Sequence, residues 1–209
     1  MESTDSQDIE RLVELTHAGA VRAATAFGQL ANAPIEVGTP IARDGQTIRG
    51  GSIGSSDSHS ARAGAMPAVT GVFFEFEGCL EALVGILFPA EGCERLVRGV
   101  VGIESGTLDP MIVESALMEV GNILASHVAS GIADALRSRL LPSIPALAPE
   151  GADVEFDAWV DRIVGREALR IEAELTLATG EAVGRLVVVP TGRAASDPGR
   201  EPSRDPSVC

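Results

Sequence analysis

Ser115, Glu119, Asn122 and Ser126 follow one another at spacings of four, three and four residues. At 3.6 residues per turn, this spacing sets the four polar side chains in one stripe along a helix face. Val113, Leu117, Val120, Leu124 and Val128 fall on the opposite face as a core stripe, and Ile112 and Ile123 flank the polar one. A carboxylate and a carboxamide one turn apart, framed by aliphatic side chains, can dock on another protein and act there. The plain alternative is a solvated surface, the usual fate of a polar helix face. Asn is only a modest helix former, so its place in mid-helix asks for a reason.

A second quartet has the same shape. Glu10, Glu14, His17 and Pro40 each lie 105 residues before Ser115, Glu119, Asn122 and Pro145. Both sets start on a long helix that is followed by a strand, and both halves end in a hairpin whose second strand runs into a proline, Pro89 or Pro190. One offset shared by four positions points to an ancient duplication with a pseudo-twofold arrangement.

The elements that must position these residues follow from periodicity and punctuation. A helix is expected over 8–33, with Leu12, Leu15, Gly19, Ala23 and Leu30 on its apolar side and Ser6 or Asp8 as cap. A short strand follows at 35–37, then a Gly- and Ser-rich mobile loop over 43–64. Strands at 69–77 and 83–88 read as a hairpin, with Phe74 and Phe76 alternating with Glu75 and Glu77. A short helix over 91–101 precedes a long one from Asp109-Pro110 to about Leu141, since Pro suits a first helical turn. Further strands are expected at 158–164, 168–177 and 182–189, and residues 193–209 read as a disordered tail rich in Pro, Ser, Arg and Asp. The fold class is therefore α/β: two pseudo-symmetric α-β repeats, about 8–90 and 109–190, sharing one continuous sheet. Together they make one domain over 1–192, with the two long motif helices packed on one face.

Composition removes several functions. The 209 residues carry a net charge of −14, and all 16 basic residues are Arg. Such a field repels nucleic acid and anionic lipid, so neither is an expected partner. An acidic chain without Lys suits a salt-adapted archaeal or halophilic source. Cys79, Cys93 and Cys209 are odd in number and lack metal-ligand spacing, so neither a disulfide framework nor a zinc site is expected. Cys79 and Cys93 read as small buried thiols. Glu14 and His17 supply too few ligands for a metal. His127 lies near the polar stripe but outside it and reads as solvated; His59 falls in the loop. The Gly and Ser run over 50–56 lacks the Lys and the following helix of a P-loop. Residues 1–10 are acidic and polar, unlike a signal peptide, and the longest apolar stretch, 80–88, is interrupted by Glu81 and too short for a bilayer. A cytoplasmic protein without membrane insertion is expected.

The run from Ser115 through Glu119 and Asn122, with Pro145 after 22 intervening residues, resembles the signature of the CheC/CheX/FliY chemotaxis phosphatases, most of all CheC. That signature is Asp or Ser, three residues, Glu, two residues, Asn, 22 residues and Pro, and the second half matches at all four positions. The first half resembles it with two departures, His17 for Asn and Glu10 for Asp or Ser. The resemblance implies a phosphatase for the phospho-aspartate of a CheY-type response regulator. It also implies that Asn122 places the attacking water, its amide oxygen accepting from the water while its NH₂ donates to a phosphoryl oxygen. Glu119 would pair with the regulator's active-site Lys, Ser115 would support, and Pro145 would shape the chain after the helix. Mg²⁺ would come with the regulator, and this chain would need no cofactor of its own. The first site, Glu10, Glu14, His17 and Pro40, is expected to be weak or inactive, because an imidazole donates and accepts from different positions. A non-catalytic adaptor that binds the CheD deamidase or the motor-coupling machinery is the alternative.

Overall fold

The structure, a computed structural model, describes residues 2–43, 70–103, 105–107 and 109–192. The elements in chain order are α1 (Glu2–Leu30), β1 (Ile35–Val37), β2 (Ile41–Arg43), β3 (Thr70–Gly78), β4 (Ala82–Phe88), α2 (Ala90–Val101), α3 (Pro110–Leu136), β5 (Leu140–Pro142), β6 (Ala146–Ala148), α4 (Ala152–Ile163), β7 (Arg170–Leu177) and β8 (Ala182–Pro190). All strands join one antiparallel sheet in the order β1-β7-β8-β4-β3-β5, with β2 also paired to β7 and β6 to β3. Exchanging β1 with β5, β3 with β7 and β4 with β8 turns this order into its own reverse.

Period-two alternation divides the sheet between two cores. Val72, Phe74 and Phe76 of β3, Val84, Ile86 and Phe88 of β4, and Leu186 and Val188 of β8 face α1 and α3. Phe73, Leu83, Leu87, Val187 and Val189 face the other way, onto Ala152, Phe156 and Val160 of α4. Strand β4 is thus buried on both sides along its whole length, which is why its sequence is continuously apolar. Farther along the α4 face the sheet turns ionic: Glu172 of β7 lies between Arg43 of β2 (3.5 Å) and Arg185 of β8 (3.9 Å).

Helices α1 and α3 cross where each carries a glycine. Gly131 lies against the Ala18 carbonyl and Gly19 Cα, while Gly19 faces Val128 and Ile132. Arg22 of α1 and Asp134 of α3 form an ion pair beside the crossing. Helix α2 is seated by two further close approaches, Gly92 on the Val183 backbone of β8 and Gly99 on the Leu30 carbonyl ending α1.

Several boundaries differ from expectation. The segment 158–164, expected as a strand, forms the second half of α4 and its C-cap, Val164. Its apolar residues suit either element when read alone, but Ala152, Phe156 and Val160 recur every four residues and pack on the apolar sheet face. Gly151 (φ 61°) precedes this helix in a left-handed conformation. Helix α1 already runs through Ser6 and Asp8, so neither caps it, and it ends at Leu30. Helix α3 starts as expected, the Asp109 side chain accepting from the Met111 N–H at 2.8 Å, but it stops at Leu136 because Arg137 takes φ 51°. Arg43, placed at the start of a loop by sequence, instead ends β2 and pairs with Arg170 of β7. Cys93 is buried as expected, whereas Cys79 is only half-buried. The loop and tail expected over 44–64 and 193–209, with His59 and Cys209, lie outside the described residues.

Candidate functional site

Helix α3 presents its two sides as its spacing dictates. Leu117, Val120, Leu124 and Val128 are buried to 2 % exposure or less, while Val113 packs half-buried at the core's margin. Ser115, Glu119, Asn122 and Ser126 are exposed on the other side. Ile112 is exposed, and Ile123 is half-buried against the core. His127, expected to be solvated, is half-buried.

Asn122 stands directly after the point where α3 touches the sheet. Gly121 lies so close to Val72 of β3 that a Cβ there would fall 2.6 Å from Val72 Cγ1. The backbone carrying Asn122 is therefore held on a strand with no solvent beneath it. The Asn122 carbonyl accepts from the Ser126 hydroxyl at 2.8 Å. Among the described residues, no group bonds the Asn122 carboxamide or the Glu119 carboxylate. Both functions of the amide, one donor and one acceptor, are thus available on a rigid support to a molecule arriving from outside.

Pro145 is buried in the link between β5 and β6. That link is tied to β3: Ser143 N–H donates to the Glu75 carbonyl (2.8 Å), and the Glu75 N–H donates to Ser143 Oγ (3.0 Å). In the first half, Glu10, Glu14 and His17 are exposed on α1, and Pro40 is buried between β1 and β2. The two quartets thus share a pattern of exposure. Among the described residues, no group of three or more His, Cys, Asp or Glu side chains is placed to hold a metal ion.

One feature beside the stripe has no signal in the sequence of α3 alone. The start of α3 and the end of α2 enclose an open groove of about 370 Å³, lined by Val100, Val101, Met111, Ile112, Ser115, Ala116 and Glu119. Met111 is 79 % exposed, and Ile112 is 44 % exposed. Its far wall depends on where the glycines of α2 let that helix sit, a long-range consequence that no local pattern announces.

Comparison with known proteins bears on the same segment. The sequence model of the CheC-like family matches residues 112–147, which contain Ser115, Glu119, Asn122 and Pro145. The CheY-P phosphatase CheC of Bacillus subtilis (strain 168) is 26 % identical over 175 residues, covering 81 % of this chain and 80 % of that protein. Among solved structures, FliY of Thermotoga maritima superposes with a TM-score of 0.63 at 15 % identity, over 90 % of this chain and 92 % of that one. The CheX–CheY–BeF3–Mg²⁺ complex of Borrelia burgdorferi superposes with a TM-score of 0.55, also at 15 % identity, over 85 % and 98 % of the respective chains. Among the described residues, no helix is long and apolar enough to cross a membrane.

Proposed function

We propose that this chain, as a member of the CheC/CheX/FliY family most like CheC, hydrolyses the phospho-aspartate of a CheY-type response regulator, with Asn122 and Glu119 as the acting residues. The observation that carries this reading is the exposure of both side chains, one turn apart, on a helix that Gly121 pins to the sheet. The curated relative acts on CheY-P, and the Borrelia CheX was solved together with CheY and Mg²⁺.

The chemistry asks little of the chain beyond placement. A water oxygen attacks phosphorus in line with the aspartyl oxygen, the P–O bond to aspartate breaks, and the regulator recovers its carboxylate. The proton of the water leaves with inorganic phosphate. Phosphoryl transfer of this kind is governed by positioning and electrostatics. The Asn122 amide oxygen accepts from the water while its NH₂ donates to a phosphoryl oxygen, which fixes the angle of attack. The Glu119 carboxylate pairs with a cationic side chain of the regulator and registers α3 over the phosphorylated pocket, with Ser115 as a further polar contact one turn earlier. Mg²⁺ bound by the regulator supplies charge neutralisation at the phosphoryl oxygens. Pro145 acts on the course of the chain after the helix, and His17 leaves the first quartet without a carboxamide.

The test is to add the protein to a phosphorylated CheY-type regulator with Mg²⁺ and follow phosphate loss. Acceleration over the regulator alone is the expected result. If the protein binds the regulator or CheD yet leaves the phosphate lifetime unchanged, the chain is an adaptor and the catalytic reading fails.

A further inference from the structure

The groove at the start of α3 is continuous with the proposed catalytic stripe. Ile112, Ser115, Glu119 and Asn122 are spaced by three, four and three residues, so they form one line along the helix. Ser115 and Glu119 belong to both the stripe and the groove. A protein whose phosphorylated pocket receives Asn122 therefore approaches the same helix face on which Ile112 lies, about 15 Å further along. Two large aliphatic side chains this exposed, next to a carboxylate and backed by Val100 and Val101, form a surface that gains stability only when something apolar covers it.

The first quartet provides an internal contrast. The positions 105 residues before Met111 and Ile112 are Ser6 and Gln7, and both are exposed. The apolar pair thus accompanies the intact Glu119 and Asn122 and is absent beside His17. An apolar pair serving only to stabilise the helix would have no reason to track the amide. A pair serving to hold the molecule on which the amide acts would.

We infer that this groove is the specificity-determining dock of the site, receiving an apolar side chain that flanks the phosphoacceptor pocket of the regulator, while Glu119 pairs with that partner's cationic group. The inference rests on the phosphatase reading for the identity of the partner. It predicts a division of labour along one helix: Met111 and Ile112 set affinity, and Asn122 sets the rate of the chemical step. Uniform binding of this kind alters KM and leaves kcat unchanged.

The experiment uses the full chain and the CheY-type regulator of the same organism, and compares wild type with Met111→Gln, Met111→Gln/Ile112→Gln and Asn122→Ala. Affinity is read by calorimetry against the regulator activated with beryllofluoride and Mg²⁺; KM and kcat are read from phosphate loss over a range of regulator concentrations. The double variant is expected to weaken Kd and raise KM by about tenfold, equivalent to about 1.4 kcal/mol, with kcat unchanged and Met111→Gln intermediate. Met111 is 79 % exposed, so its single replacement leaves the fold intact and keeps the test decisive. Unchanged Kd and KM in the double variant would overturn the dock while leaving the phosphatase reading standing. Failure of wild type to speed phosphate loss, with Kd still weakened by the double variant, would remove the phosphatase reading and leave the dock. Failure of wild type to bind the regulator at all would overturn the dock.

Discussion

Replacing Gly131 by Ala should destabilise the protein, although Ala is the better helix former. In an unconstrained helix interior this change is favourable by about 1 kcal/mol. Here a Cβ would lie 2.5 Å from the Ala18 carbonyl oxygen and 2.9 Å from Gly19 Cα, against the 3.4 Å at which ordinary contact begins. Both neighbours are backbone, so no rotamer change relieves the overlap. The helices must separate by a large part of the missing ~0.9 Å, and a gap of that size forfeits roughly a quarter to a half of each dispersion contact it opens. Gly19, Val128 and Ile132 lie in the strip that would open. Overpacking of this kind costs about 1–3 kcal/mol. The upper part of that range applies because the obstruction is rigid, which leaves a net loss of about 2 kcal/mol after the propensity gain. For a chain of this length that lowers Tm by roughly 4–8 °C. Thermal and urea denaturation should be compared with Ser130→Ala, an exposed site one residue earlier, where Tm should hold or rise slightly. A Gly131→Ala protein as stable as wild type would refute the close crossing of α1 and α3.

Gly121→Ala places a Cβ 2.6 Å from Val72 Cγ1 and should lower both stability and phosphatase activity, since α3 must lift from β3 where Asn122 is carried. Combining it with Val72→Ala should give a protein more stable than the sum of the two single effects, a coupling that a double-mutant cycle of denaturation free energies reads directly. Burial pushes the Cys93 thiol above its ordinary pKa, opposed by a hydrogen bond with Thr70 and assisted by Glu94. The unfolded thiol therefore loses its proton first, so this stabilisation is complete below about pH 8.5 and is lost as pH rises through the folded value. Melting temperatures taken from pH 7.5 to 10 should fall less steeply in Cys93→Ala than in wild type. Met111→Gln/Ile112→Gln should raise KM without altering kcat, as set out above.

The long motif helix was legible in detail because its signals are local: Asp109 as cap, Pro110 in the first turn, and a strict separation of Leu117, Val120, Leu124 and Val128 from Ser115, Glu119 and Asn122. The two hairpins, β3-β4 and β7-β8, were legible from alternation and apolar runs. Helix α4 was not, because Trp159, Val160, Ile163 and Val164 crowd the second half of a short segment, and such a run suits either element. What decides it is the apolar patch of Phe73, Leu83 and Leu87 across the sheet, which rewards burial every four residues. The three-residue strands β2, β5 and β6 carry no period of their own and exist through pairing with β7 and β3. At the site, the polar stripe and Ile112 could be read from spacing. Met111 and the Val100–Val101 wall could not, since the groove arises from the seating of α2 through Gly92 and Gly99.

In the proposed reaction, one exposed carboxamide, that of Asn122, performs the positioning step. Single-turnover loss of phosphate from a pre-phosphorylated CheY-type regulator, with saturating wild type, Asn122→Ala or His17→Ala, addresses it most directly. Asn122→Ala should lower the accelerated rate by about 100-fold, the scale of losing one preorganised polar contact in a reaction centre, with its melting temperature unchanged, while His17→Ala stays near wild type. An Asn122→Ala protein as fast as wild type, or a loss of rate that follows His17 instead, would contradict this role for Asn122.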